Sequence, residues 1–291
     1  VTYVGIDVGG TKCLGVAIND NGELVGEVRC ATPHADTLVP VLVDIYTQLG
    51  GVNALGVGVP GLISAEGVIR ASPNLKGAFN VEVGPMLREQ LGGVVTVEND
   101  ATMAAYGEWR GGAARDATDA VIVTLGTGIG GGIVMGGVLQ RGAHGFAGEI
   151  GHMTVDRDGV ECPCGRRGCW ERYASGSALT MLSGGLSGEE LFAQFNDGDA
   201  NAIAVMEQFV DWIALGLSSL TNVCDPHVIV LGGGVITSLE PHFDMVRDRF
   251  VASLYSSQWR PHPELKPAQL GDKAGALGAA HFARETALKV L

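Results

Sequence analysis

Residues 3–18, YVGIDVGGTKCLGVAI, decide how the rest of the chain is read. Tyr3 to Gly9 is a short apolar run with β-branched residues, the pattern of a buried strand. Gly9-Gly10 makes a turn. LGVAIND (14–20) and ELVGEVRC (23–30) follow as two more strands, with Asn19-Asp20-Asn21-Gly22 as the hairpin turn. Asp7-Val8-Gly9-Gly10-Thr11-Lys12 thus lies at the tip of a strand–turn–strand. It comes near a Walker A loop, but Thr-Lys stands where Lys-Thr/Ser is required, and a strand follows where a helix is required. The same unit returns at 120–135: a strand from Ala120 to Leu125, a Gly126-Thr127-Gly128 turn, and a strand from Gly130 to Met135. Gly126, Gly128 and Gly131 formally match GxGxxG, yet the residues after them alternate like a strand, which excludes a dinucleotide fold. Two Gly-tipped hairpins from two successive α/β lobes suit a polyphosphate gripped from opposite sides by backbone N–H groups.

Outward from the first hairpin, Thr37 to Leu49 has helical spacing, and 54–59 is a strand closed by Pro60-Gly61. Residues 81–91 read as a helix ending at Gly92-Gly93, and Val94 to Val97 as a strand. It runs through Glu98-Asn99-Asp100 into a strong helix former, so Asp100 falls where a strand's carboxyl end meets a helix N-terminus. Ligands bind there in open α/β sheets; equally, Asn99 or Asp100 would simply cap the helix. Ser187 to Phe195 and Ala200 to Thr221 are helical. Val228 to Leu231 is a strand ending in Gly232-Gly233-Gly234, which suits either close approach of a nucleotide or a tight turn into the next helix. Residues 272–286 form a last, Ala-rich helix.

The stretch Gly148–Tyr173, GEIGHMTVDRDGVECPCGRRGCWERY, holds His152, Cys162, Cys164 and Cys169. Three thiols and one imidazole have the number and softness of a closed tetrahedral zinc site. Glu149 and Glu171 bracket that set. Acceptor-only when ionised, they suit a ligand rich in hydroxyl donors. Cys13, Cys30 and Cys224 sit singly among apolar residues and read as buried thiols. With 6 cysteines, three of them clustered, the chain does not read as a disulfide framework. A net charge of −13 argues against a nucleic-acid partner. Val1 leads straight into a strand pattern, and no uncharged apolar run approaches the roughly 20 residues of a membrane span. The expectation is a reduced, cytoplasmic protein without a membrane partner.

Taken together and in order, DVGGTK (7–12), LGTGIGGG (125–132), Glu149-x-Gly-His152, Cys162-x-Cys164-Gly-x-x-Gly-Cys169-x-Glu171 and Gly232-Gly233-Gly234 resemble the ROK family (repressors, open reading frames, kinases). The flanking text at 97–101 and 170–176 is most similar to the actinobacterial-type glucokinases of that family. The resemblance implies an α/β, two-lobed actin-like, ribonuclease-H-like ATPase fold with a zinc knuckle. Residues 1–110, completed by the C-terminal helix at about 272–291, would form the small lobe and 111–271 the large one.

It also implies transfer of the terminal phosphoryl group of ATP to the 6-hydroxyl of glucose. Asp100 would be the catalytic base. Asn99, Asp100, Glu149, His152 and Glu171 would bind sugar, with His152 turning one nitrogen to the metal and the other to the sugar. Asp7 would help place Mg²⁺. Gly9, Gly10, Thr11, Lys12, Gly126, Thr127 and Gly128 would hold phosphates, and Gly232, Gly233 and Gly234 would lie near the adenosine. Zinc on His152, Cys162, Cys164 and Cys169 would be structural, and the chain a homodimer or homotetramer. The alternatives are a ROK kinase for fructose, N-acetylglucosamine or N-acetylmannosamine, or a sugar-binding regulator. Repressor members carry a helix-turn-helix domain ahead of this region. DVGGTK begins seven residues in, so none is expected here.

Overall fold

Strand β1 (Tyr3–Val8) is buried at every position but Asp7, as a strand covered on both faces must be. The computed structural model describes residues 2–51, 53–72, 75 and 77–290. After β1 come β2 (Lys12–Ile18), β3 (Leu24–Ala31), α1 (Leu38–Gln48), β4 (Ala54–Val59), β5 (Leu62–Ile63), β6 (Ile69–Ala71), β7 (Phe79–Val81), α2 (Val83–Leu91), β8 (Val94–Asn99) and α3 (Asp100–Gly111). Then follow β9 (Ala120–Leu125), β10 (Ile129–Met135), β11 (Val138–Leu139), α4 (Glu171–Ala174), α5 (Gly176–Leu182), α6 (Gly188–Asn196) and α7 (Ala200–Cys224). The chain closes with β12 (Val228–Gly232), α8 (Gly234–Leu239), α9 (Phe243–Ser253), β13 (Glu264–Pro267) and α10 (Ala274–Val290).

Two compact units result. The first comprises Val1–Asp116, Leu139–Gly148 and Gln269–Leu291; the second comprises Ala117–Val138 and Glu149–Ala268. Each is built on a five-stranded sheet, ordered β3-β2-β1-β4-β8 in the first and β11-β10-β9-β12-β13 in the second. In the first, β1, β4 and β8 run parallel while β2 and β3 return antiparallel. In the second, β9, β12 and β13 run parallel and β10 returns antiparallel. The parallel strands need crossover helices, which α1 and α2 supply in the first unit.

The two sheets bury their faces differently. In the first unit, α10 lies almost in contact with strand backbone: a Cβ added at Gly56 would sit 2.0 Å from the Ala279 carbonyl oxygen, and one at Gly5 2.0 Å from that of Ala276. In the second, the largest fully buried side chains include Trp170, Phe209 and Phe250, packed with Ile213, Leu217 and Val246. Helix α7 is long and apolar enough, by length and composition, to cross a membrane; half of that window is buried inside its unit.

Several expectations are corrected by packing. Phe79–Val81 pairs with Ile69–Ala71 as a third small sheet, so the helix expected from 81 starts at Val83. Strand β8 runs on through Glu98 and Asn99, and α7 runs on to Cys224. Gly232 ends β12 and Gly233 turns the chain directly into α8. Cys13 and Cys30 are not isolated: they are direct partners across β2 and β3, and Cys30 is only half-buried.

Candidate active site

In the first unit the carboxyl ends of the parallel strands line up. Asp7 on β1 stands opposite Gly58 on β4, which stands opposite Glu98 on β8. Asn99 is the N-cap of α3: its Oδ1 accepts from the Thr102 N–H at 3.0 Å, and its Nδ2 donates to the Gly61 carbonyl at 3.0 Å. The capping role weighed against a ligand role for Asn99 or Asp100 thus falls to Asn99. Asp100 is the first helical residue, and its Oδ1 accepts from the Ala101 N–H at 2.9 Å. Burial pushes the Asp100 carboxyl upward, against the pull of that backbone donor. Asp7 is pushed up to about 7, first by burial and then by the nearby charges of Asp100 and Asp272. A raised carboxyl is a stronger base than an ordinary one, and burial favours its protonated form until a cation or donor stabilises the charge.

Glu98, next to Asn99, is buried and paired through both carboxylate oxygens to Arg141. Burial pushes its carboxyl up to about 7 against the pull of that guanidinium. Nothing in the sequence singles out this pair, because Arg141 lies 43 positions away. The pair pins the segment Leu139–Gly148 beside the end of β8.

The β1–β2 turn is closed by the Gly9 N–H donating to the Lys12 carbonyl at 3.0 Å. Thr32 fastens it from β3's end: its hydroxyl donates to the Gly9 carbonyl at 2.6 Å and its N–H to the Thr11 carbonyl at 3.2 Å. Lys12 is exposed, with Nζ 3.8 Å from an Asp272 oxygen that also accepts from Arg29 at 2.9 Å. The corresponding turn of the second unit closes likewise, with the Gly126 N–H on the Gly128 carbonyl at 3.0 Å. Gly9 and Gly126 therefore shape their turns with their own amides.

In the second unit, the knuckle is assembled by short backbone bonds. Thr154 bridges Cys169, Glu161 bridges Arg167, and the Cys162 N–H donates to the Arg166 carbonyl at 2.8 Å. Gly168 has φ +70°, and a Cβ there would lie 1.5 Å from the Asp156 carbonyl oxygen; only glycine fits. The ligand atoms of His152, Cys162, Cys164 and Cys169 all lie within 4.8 Å of one another. That donor set fits zinc, and three sulfurs with one nitrogen complete a tetrahedron. His152 turns Nδ1 toward Cys162 Sγ at 3.8 Å, while its Nε2 lies 3.9 Å from Glu149. Glu171 sits 3.3 Å from Cys162 Sγ and 3.7 Å from His152 Nδ1. Its other oxygen faces the Ile129 N–H at 3.5 Å, and a Cβ added at Gly128 would lie 2.7 Å from it. Glu171 thus ties the knuckle to the β9–β10 turn.

That turn is also held by α5: the Gly176 N–H donates to the Gly126 carbonyl at 2.8 Å and the Ser177 hydroxyl to that of Thr127 at 2.8 Å. Gly232 lies opposite Thr124, and a Cβ on Gly233 would lie 2.4 Å from the Leu125 carbonyl oxygen. Within the first unit the structure brings together Asp7, Gly9–Lys12, Asn99 and Asp100. Within the second it brings together Glu149, His152, Glu171, the three knuckle cysteines, Gly126–Gly128 and Gly232–Gly233. Thr32, Gly176 and Ser177 were missed. They are ordinary residues in sequence, and only their backbone neighbours give them meaning.

A model of the ROK family matches residues 3–286. A glucokinase of Streptomyces coelicolor is 31% identical over 97% of this chain and 97% of its own. The crystal structure of a ROK family glucokinase from Streptomyces griseus, in complex with glucose and AMPPNP, is 33% identical with a TM-score of 0.85, covering 98% of this chain and 100% of that one. The ROK hexokinase of Thermus thermophilus is 35% identical with a TM-score of 0.87, covering 99% and 100%.

Proposed function

The chain belongs to the ROK family, with its two-lobed actin-like sugar kinase fold, and from that premise we propose that it is an ATP-dependent kinase of glucose. It transfers the terminal phosphoryl group of ATP to the 6-hydroxyl, giving glucose 6-phosphate. Asp100 carries this reading. It stands where a parallel strand's end meets a helix N-terminus, with one oxygen held by the Ala101 amide and the carboxyl raised by burial.

A sugar hydroxyl is a poor nucleophile, and phosphoryl transfer needs mostly positioning and charge neutralisation. Asp100 orients the 6-hydroxyl and accepts its proton as the new oxygen–phosphorus bond forms. Glu149, His152 through Nε2, Glu171 and the remaining amide capacity of Asn99 hydrogen-bond the other hydroxyls. The turns Gly9–Lys12 and Gly126–Gly128 hold the phosphates, and Gly232–Gly234 lies near the adenosine. Asp7 helps hold the Mg²⁺ that accompanies ATP, a cation that neutralises phosphate charge when bound. His152, Cys162, Cys164 and Cys169 would hold zinc as a closed structural site, whose part would be to fix the knuckle that carries the sugar contacts. We take residues 1–110 with about 272–291, and residues 111–271, as the two functional lobes, while the segment Leu139–Gly148 of the second packs within the first compact unit. We place the enzyme in the cytoplasm as a homodimer or homotetramer on family likeness.

The test is a coupled assay of nucleotide consumption over a sugar panel, with ATP and polyphosphate as donors. Strong preference for glucose with ATP supports the reading. Turnover only on an N-acetylated sugar would change the substrate, and no turnover with sugar binding intact would make the chain a sensor.

A further inference from the structure

Cys13 and Cys30 face each other directly in the antiparallel pair of β2 and β3. Directly opposite residues project from the same face with Cα atoms about 4.5–5.5 Å apart, and a disulfide spans roughly 4.4–6.8 Å between Cα atoms. Both belong to one apolar cluster, Cys13 fully buried and Cys30 packed against it while still partly exposed. Cys13 Sγ lies 4.0 Å from the Thr32 hydroxyl, the group that donates to the Gly9 carbonyl. A change of partner at Cys13 is therefore one contact away from the Gly9–Thr11 turn.

We propose that Cys13 and Cys30 form a reversible disulfide when the protein meets a hydroperoxide, and that this bond weakens nucleotide binding through Thr32 and the turn. The second half rests on the phosphate-binding reading of that turn. Cys30, the less buried of the two, attacks the peroxide O–O bond through its sulfur, giving a sulfenic acid, and its proton leaves with the other oxygen as water or alcohol. Cys13 sulfur then attacks the Cys30 sulfur; the hydroxyl leaves with the Cys13 proton as water. Two thiols are oxidised by two electrons and one peroxide is reduced. Burial pushes the Cys13 thiol up to about 12, which leaves initiation to the partly exposed Cys30. Adjacent to a partly exposed position, the bond belongs to the labile class that a thiol reductant reopens.

The experiment treats the zinc-loaded protein with hydrogen peroxide, alkylates remaining thiols and maps the unreduced peptides, with ATP KM and zinc content measured on the same sample. A linked pair of peptides containing Cys13 and Cys30 is expected. With it come a several-fold rise in ATP KM, recovery with dithiothreitol, and neither change in Cys30→Ser, whose untreated kinetics match the parent. Both cysteines recovered as free thiols, after peroxide has oxidised thiols in the knuckle and released zinc, would overturn the proposal. Linked peptides with an unmoved ATP KM would overturn the coupling. Reduced Gly10→Val tests the turn separately, because a Cβ at Gly10 meets nothing within 4 Å and the variant should fold. If its ATP KM is unchanged, the phosphate reading fails and the disulfide does not.

Discussion

The two sheets share one strand order, yet they hold their functional residues by opposite means. In the first unit α10 and α3 cross so closely that a Cβ at Gly278 would lie 1.8 Å from the Met103 carbonyl oxygen. A Cβ at Gly275 would lie 2.7 Å from the Asp7 carboxyl carbon. Asp100 is thus carried on a helix seated by main-chain contact, its own Cα 3.3 Å from a Cβ added at Gly58, while the Asp7 carboxyl packs against the bare Gly275 of α10. In the second unit, large side chains around α7 fill the core, and the stretch that carries Glu149, His152 and Glu171 surrounds a cluster of His152, Cys162, Cys164 and Cys169 that could hold a metal ion. Asp7 and Asp100 sit on closely packed elements, while Glu149, His152 and Glu171 lie around a loop gathered at that Cys/His cluster.

The hardest blow to this contrast comes from Gly278→Val. The added atoms meet main chain on α3, so we expect destabilisation above about 4 kcal/mol and little soluble protein; a thermal midpoint near the parent's would break the close-packing account. Asp100→Asn comes next. It keeps the shape and removes the proposed proton acceptor, and kcat should fall by about 10²–10⁴ in the coupled assay, with the fold unchanged by circular dichroism. Gly216→Ala probes the other core, where the new Cβ would lie 2.0 Å from the Trp170 ring. A side chain and a helix surface can share that displacement, so a cost of about 1–3 kcal/mol is expected by denaturant titration. A loss as complete as that of Gly278→Val would erase the difference between the units.

The smallest effect is in pH. Asp7, raised from its ordinary 3.8 to about 7, holds a proton in the folded chain where the unfolded chain has lost it. The folded state binds more protons between about pH 4 and about pH 7, so this group's contribution to stability falls as pH rises through that window. Thermal midpoints of Asp7→Asn, measured without nucleotide or magnesium, should fall less steeply over the same range. An identical slope would mean that Asp7 titrates normally.

Much of this was legible because local chemistry announced it. The two hairpins were readable from apolar runs around Gly9-Gly10 and Gly126-Thr127-Gly128, and the knuckle from Cys162, Cys164, Cys169 and His152 at short spacing. What stayed hidden depends on distance in the chain. Glu98 meets Arg141 and Thr32 meets Gly9 only once the sheet has formed. The pairing of Cys13 with Cys30 was hidden too: a regular count back from the Asn19–Gly22 turn puts Cys13 opposite Val28, and the register shift at Ala17/Ile18 is part of what brings Cys30 there instead. Nothing in the sequence shows that α10 is the helix that meets Gly5 and Gly56.

A glucose titration, followed by calorimetry, tests the division of labour most directly when run on Asp100→Asn and on zinc-depleted Cys164→Ser. Asp100→Asn should bind glucose within about threefold of the parent despite its lost turnover, because a neutral amide still orients a hydroxyl. Cys164→Ser should lose about tenfold or more in glucose affinity along with its zinc. Unchanged glucose binding without zinc, or glucose binding abolished in Asp100→Asn, would contradict the account.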